Sequence, residues 1–287
     1  DREQRHLDLL LCAPAEARCS VVLRESDPHW LNIGDEWRFL RDIKDGGNGR
    51  PGFLWGSTRD GFRQLYLYDL EGTLVRPLTR GAWEVMDVEA IDETGGWVWF
   101  TATEKSPVER HLYRVRIDGS GFSRLTHEEG DHATTVSSRG TWVDTFDNES
   151  RPARVTVHGA DGTVVATLDD GTGEAIAGYR RGVTEFLTVP AHDGTPLPAM
   201  MTKPPDFNPS RKYPVLVYVY GGPHAQVVSR SWAGARMLWH QMMAAKGIIV
   251  WSLDNRGAAA RGHAWETPLH RRMGQVELAD QLDGVAW

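Results

Sequence analysis

The stretch VYVYGGPHAQ, residues 217–226, sets one phenol, Tyr220, at the end of an apolar run and directly before two glycines, a proline and a histidine. A tyrosine hydroxyl titrates near 10, so at neutral pH it is a protonated hydrogen-bond donor. Placed where the backbone turns sharply, such a donor can stabilise the oxyanion that forms when a nucleophile adds to a carbonyl. The same residue can instead cap a strand, with its ring packed and its hydroxyl bonded to a neighbour. Composition and spacing leave the two readings equal. His224 reads as a residue that shapes this loop by tautomer-dependent hydrogen bonding rather than as a general base. Asp254 and Arg256, in DNRG, read as an internal ion pair fixing a neighbouring loop.

An oxyanion donor calls for a nucleophile. The strained elbow G-x-S-x-G that presents a serine has no match here, and Ser229 and Ser252 lack flanking glycines. HEEGDH (127–132) brings histidines and acids together without the H-E-x-x-H spacing of a zinc site. Its place at a turn between repeats predicts a solvated loop, and no metal is expected. GGNGRPG (46–52) has neither a Lys-Ser/Thr pair nor a strand-to-helix setting, so no phosphate site or cofactor is expected. Cys12 and Cys19 match neither a CxxC pair nor a zinc knuckle. They are read as free thiols, the alternative being two cysteines facing each other across a hairpin.

The elements that must position these groups follow two grammars. LYLYDLEG begins at Leu65 and LYRVRIDG at Leu112, while PLT and RLT end at Thr79 and Thr126; both offsets are 47 residues (112 − 65 and 126 − 79). A weaker third copy, ARVTVHGADGTVVATL, covers 153–168. Each unit gives short alternating strands parted by glycine-containing turns, the pattern of antiparallel hairpins. A period of about 40–50 residues built from four strands is that of a β-propeller blade. With a partial unit before residue 45 (HLDLLL, CSVVL), the blades are too few to close a ring, and further blades are expected upstream of Asp1. Trp55, Trp97, Trp99 and Trp142 fall on alternating strand positions and read as blade core.

From about residue 180 the pattern changes. TEFLTVPAHDG and LPAMMTKP predict a hairpin through Asp193-Gly194. VLVYVY predicts a strand covered on both faces, with Gly221-Gly222-Pro223 turning into a helix. WAGARMLWHQMMAAKG (232–247) has Leu238, Met242 and Ala245 at helical spacing and Gly247 as a C-cap. IIVWSLDNRG predicts a second buried strand, and GQVELADQLDGVAW an amphipathic helix. This order implies a parallel sheet flanked by helices. The boundary is placed between Gly171 and Arg181, giving regions 1–178 and 179–287.

The 287 residues are 40% hydrophobic and 25% charged, enough for one large or two ordinary domains. A formal charge of −7 with both signs interspersed leaves no footprint for nucleic acid. No apolar run approaches the roughly 18 residues of a membrane span. The compartment stays open between cytoplasm and periplasm. Because the chain opens on Asp1 rather than Met, it reads as the inner part of a longer one.

YPVLVYVYGGPHAQ, then DNRGAAARGHAWE, then HRRMGQVELADQLDGVAW, in that order, resemble the prolyl oligopeptidase family of serine peptidases. The nearest likeness is to its dipeptidyl peptidase IV branch in bacterial form, whose propeller GSTRDGFRQLYLYDLEG and RGAWEV also resemble. The resemblance implies the last blades of a β-propeller followed by the N-terminal part of an α/β-hydrolase domain, with peptide substrates entering between them. It implies that Tyr220 donates to the oxyanion and that a Ser/Asp/His triad, absent from this chain, lies beyond Trp287. On that footing the whole protein releases N-terminal X-Pro or X-Ala dipeptides, and these residues alone are expected to be inactive. The alternatives are an acylaminoacyl peptidase or oligopeptidase of the same family, or a non-catalytic propeller binding module. Glutamates that bind a substrate's amino terminus are expected upstream of residue 1. Arg24, in LRESDPHW, is the candidate for the family's extended-subsite arginine, against the plainer reading of a surface arginine beside Glu25. No cofactor is implied, and a homodimer of the whole protein is an expectation.

Overall fold

The computed structural model describes residues 2–43 and 49–287; residues 46–48 of the glycine-rich run lie outside the described residues. The chain begins with a ribbon of β1 (His6–Ala13) and β2 (Arg18–Ser26). Three four-stranded antiparallel sheets follow. The first holds β3 (Arg38–Leu40), β4 (Gly52–Ser57), β5 (Gln64–Asp69) and β6 (Leu74–Pro77). The second holds β7 (Val85–Asp92), β8 (Trp97–Ala102), β9 (His111–Arg116) and β10 (Ser123–Arg124). The third holds β11 (Asp131–Val136), β12 (Trp142–Asn148), β13 (Arg151–His158) and β14 (Val164–Asp169). Every strand pairs with its neighbour in sequence, as blades do.

The 47-residue repeat has a physical cause. Thr79 and Thr126 are buried, and their hydroxyls accept the backbone N–H of Leu65 at 2.9 Å and of Leu112 at 3.0 Å. Each threonine thus closes its blade on a donor that would otherwise be buried unpaired. Strand alternation then builds the core. Val98 and Phe100 pack with Leu54, Leu65 and Leu67 of the first blade, while Trp99 turns to Val136 and Trp142 of the third. The ribbon covers the first blade's other face, where Leu23 meets Phe53, Trp55, Tyr66 and Tyr68. Of the four tryptophans, Trp55, Trp99 and Trp142 are buried; Trp97 is half-buried under the guanidinium groups of Arg114 and Arg116.

Two expectations fail in this part. Cys12 and Cys19 are register partners across the ribbon and form a disulfide, because the hairpin that joins them brings the two positions face to face. HEEGDH is only partly solvated: His132 lies on β11, buried, with its ring nitrogens 2.9 Å from the Asp144 carboxylate and the Glu128 carbonyl.

After α1 (Glu174–Ala177), a mixed sheet contains β15 (Thr184–Pro190), β16 (Pro196–Thr202), β17 (Val215–Val217) and β18 (Ile249–Leu253) in the order β15-β16-β18-β17. β15 and β16 form the predicted hairpin, β16 and β18 are antiparallel, and β17 runs parallel to β18. Helix α2 (Ala235–Ala245) bridges β17 to β18; α3 (His263–Glu266) and α4 (Val276–Ala286) follow. Gly247, at φ +82°, ends α2 as expected. Among the described residues no helix is long and apolar enough to cross a membrane.

VLVYVY is not a strand covered on both faces. Only Val215–Val217 is strand, and Val215, Val217 and Val219 are exposed, because β18 takes the inner place and leaves β17 at an edge. The glycine-proline turn leads into coil through Gly234 rather than directly into a helix. Helix α2 buries Met237, His240, Gln241 and Ala244 and exposes Leu238 and Met242. The helical spacing was right and the face was not, since the Gln241 amide oxygen accepts the Gly182 N–H at 2.7 Å and draws a polar residue inward.

Candidate active site

Tyr220 leaves the sheet just past β17, two residues after the Tyr218 N–H donates to the Trp251 carbonyl at 2.7 Å. The backbone that follows is tied down along its length. The Gly221 carbonyl accepts from the Asn255 amide at 3.3 Å, and the His224 N–H donates to Gly257 at 3.1 Å. The Val227 and Val228 N–H groups both donate to the buried Asp254 carboxylate, at 2.8 and 3.1 Å. A Cβ on Gly222 would lie 2.9 Å from the Tyr220 ring, so only glycine lets the ring rest there. The side chain itself is 68% exposed, and among the described residues its hydroxyl has no hydrogen-bond partner. A held backbone carrying an unclaimed donor is the arrangement that a pre-organised oxyanion contact requires.

Blade residues support the same loop from its far side. The Gln226 amide donates to the Pro107 carbonyl at 2.8 Å, and Arg110 donates to Gln226. Arg230 sits among three glutamates of the blades, Glu149 at 3.2 Å, Glu109 at 3.5 Å and Glu129 at 3.6 Å. The Trp232 N–H donates to Asp147 at 2.8 Å. On the near side, Glu266 is buried and accepts from Asn32 at 2.7 Å, with His224 at 3.5 Å and His263 at 3.6 Å. Burial opposes the ionised form of Glu266, but His224, His263 and Asn32 outweigh it and hold the carboxyl at about 2. The same carboxylate raises the His224 imidazole above its usual value against its partial burial. A cavity of about 650 Å³ opens beside this cluster, lined by Trp30, Asn32, Arg63 and His224 among others.

Of the residues singled out by sequence, Tyr220 and His224 do share one loop. Asp254 and Arg256 are each ion-paired, but not to each other: Asp254 holds Arg261 at 3.0 Å, and Arg256 holds Asp280 at 2.6 Å and Asp193 at 2.7 Å. Both residues lie past the end of β18, in a turn where no strand register holds their side chains on one face, so the short spacing misled. Ser252 is buried on β18, and the Ser229 hydroxyl faces that of Ser231 at 3.0 Å. Arg24 is a ribbon surface residue, bound to Asp8 through two contacts of 2.6 Å, while Glu25 reaches Ser57 and Arg59 instead. Glu266, Asn32 and Arg230 went unremarked in the sequence. Their partners lie far along the chain, so no local spacing marks them.

Comparison with known proteins supplies what geometry alone does not. The family model described as the dipeptidyl peptidase IV (DPP IV) N-terminal region matches residues 1–153, and that of the prolyl oligopeptidase family matches 236–287. A probable dipeptidyl-aminopeptidase B of Emericella nidulans is 32% identical over 98% of this chain and 32% of its own length. Dipeptidyl peptidase 4 of Trichophyton tonsurans is 26% identical over 98% of this chain and 36% of its own. The crystal structure of Porphyromonas gingivalis dipeptidyl peptidase 4 superposes on the whole chain with a TM-score of 0.89 at 27% identity, this chain covering 40% of it. A putative dipeptidyl aminopeptidase IV from Bacteroides ovatus gives a TM-score of 0.85 at 28% identity, with 43% covered. The chain therefore spans about a third of the length of the curated relatives it matches.

Proposed function

Since this chain belongs to the dipeptidyl peptidase IV branch of the prolyl oligopeptidase family, we propose that the whole protein is a serine exopeptidase releasing N-terminal dipeptides with proline or alanine second. In this reading residues 1–178 belong to its propeller, 179–287 to its peptidase domain, and Tyr220 is the oxyanion donor. The triad is proposed to lie outside these 287 residues, which contain no serine elbow.

A serine oxygen adds to the scissile carbonyl as the triad histidine takes its proton, later passed to the leaving amine, and the C=O electron pair moves onto oxygen. The Tyr220 hydroxyl donates to that oxygen together with a backbone N–H. Collapse then expels the amine and leaves an acyl-enzyme, which water hydrolyses to free the dipeptide. What supports this role is the free, exposed hydroxyl on a backbone pinned by Asp254, Asn255 and Gly257.

Removing one oxyanion donor typically costs about 3 kcal/mol of transition-state stabilisation, or a hundredfold or more in rate. Tyr220→Phe in the whole protein is expected to lower kcat on an X-Pro anilide by at least that factor while KM stays nearly constant. An unchanged kcat would remove Tyr220 from the reaction.

A further inference from the structure

Where the ribbon's exit meets α3, Asp27 and His29 have no part in the peptidase reading, and His263 enters it only through its contact with Glu266. Asp27 and His29 lie just beyond β2, and His263 opens α3. One donor atom from each falls within 4.8 Å of the other two. Nδ1 of His29 is 3.5 Å from Oδ1 of Asp27, and Nε2 of His263 is 3.1 Å from Oδ2. Ligands about 2.0–2.1 Å from a tetrahedral Zn²⁺ stand roughly 3.3 Å apart, and the 3.1 Å between Oδ2 and Nε2 is close to such a coordination edge.

His263 carries the second observation. It is only 8% exposed, and among the described residues neither of its ring nitrogens makes an aligned hydrogen bond, although carboxylates stand near both. The 3.1 Å approach of Nε2 to Asp27 is close but misaligned for an N–H···O bond, as befits two donors turned toward a common third atom. On the ring's other side, Nδ1 is 3.6 Å from Glu266, which Asn32 holds in turn at 2.7 Å. A carboxylate behind a ligating imidazole is the usual means of fixing its tautomer and orientation. Trp30 packs edge-on to the His263 ring, centroids 5.6 Å apart.

We propose that Asp27, His29 and His263 form a binding site for one divalent transition-metal ion, Zn²⁺ being the best match to two imidazoles and a carboxylate with a position left for water. The ion joins the end of the ribbon to α3 and so clamps the blade side of the molecule to the segment behind the tyrosine loop. Asp27 Oδ1 already accepts the His29 N–H at 2.7 Å, leaving Oδ2 as the metal-facing oxygen.

The test uses the whole protein, untagged, stripped with a chelator and titrated near pH 8, where imidazoles are deprotonated. Zn²⁺ should bind with one-to-one stoichiometry by calorimetry, and Co²⁺ should develop visible absorption bands. A hundredfold excess of Zn²⁺ over Kd should raise the midpoint of the unfolding transition that involves the ribbon and α3, reversed by chelator. His29→Ala removes a half-exposed ligand without touching the core and should weaken binding at least about tenfold. Asp27→Asn keeps the acceptor for the His29 N–H and should do the same. Equal Zn²⁺ affinity in the wild type and in His29→Ala overturns the site, as does the absence of both Co²⁺ bands and a midpoint shift. His263→Ala is read only alongside His29→Ala, because loss of folding in the former leaves the latter decisive.

Discussion

The first two blades and the mixed sheet are both four-stranded, yet they are stabilised in different ways. In the blades each strand hydrogen-bonds to its sequence neighbour, and Val98, Phe100, Leu65 and Leu112 are wholly buried. In the mixed sheet β18 separates β16 from β17, and apolar residues of its edge strand and helices stay exposed, among them Val217, Leu238, Leu278 and Leu282. The contrast is between local pairing, which completes each sheet within about 40 residues and leaves only adjacent blades to pack together, and non-local pairing, whose core depends on segments brought from afar. Blades therefore carry stability, while the mixed sheet carries the loop with the unclaimed hydroxyl.

Truncation within each region should display the contrast most directly. Phe100 packs parallel to Trp83 and Tyr113 at zero exposure, so Phe100→Ala should cost about 3–5 kcal/mol of unfolding free energy in urea. Val217→Ala on the exposed edge should cost below about 1 kcal/mol. Equal costs would mean that the mixed sheet is as tightly packed as the blades.

A smaller difference comes from acid. Burial first, and Arg236 second, push the His240 imidazole down to about 4 from its usual 6.5. The folded protein thus keeps His240 neutral where the unfolded chain binds a proton. Its contribution is intact above pH 6.5, is lost as pH falls from 6.5 toward 4, and amounts to about 3 kcal/mol. His240→Leu should flatten that part of the stability–pH curve, measured by denaturant midpoints at each pH. His111, in the blades, is likewise held down at about 4, yet its nitrogens meet Thr126 and Glu109 at 3.0 and 2.9 Å, whereas Nε2 of His240 has no partner among the described residues. His111→Leu should accordingly lower stability at neutral pH, and His240→Leu should not.

The least effect is expected from the disulfide. Cys12 and Cys19 close a short loop at the ribbon's exposed end. Reduction should speed amide exchange in residues 6–26 and leave the blade amides unchanged. Faster exchange across the first blade would show that the ribbon is part of its cooperative unit.

These differences also explain what was legible in the sequence. The blades were readable because Thr79 and Thr126 do one job at one spacing, and their strands alternate beside their own partners. The hairpin through Asp193-Gly194 and the helix ended by Gly247 were readable for the same local reason. The order of the mixed sheet was not, since nothing near VLVYVY says that a strand more than 30 residues later takes the inner place. Nor was the buried face of α2, where Gln241 outranks Leu238 through one backbone contact. At the site, Tyr220 and His224 could be singled out from their setting between a strand and two glycines. Glu266 and Arg230 could not, because long-range tertiary contacts alone give them a role.

The hydrogen bond from Asn32 to Glu266 spans 234 residues of chain. Each doubling of a closed loop adds only about 0.6 kcal/mol of entropy cost, so the contact is affordable once formed. It is expensive in time rather than in free energy. Neither residue finds the other until the blades between them have collapsed and shortened the effective loop. The cluster around His224 is therefore among the last features to mature during folding. In a refolding experiment, the blade tryptophans should report their burial before Trp30 reports its contact with His224 and His263.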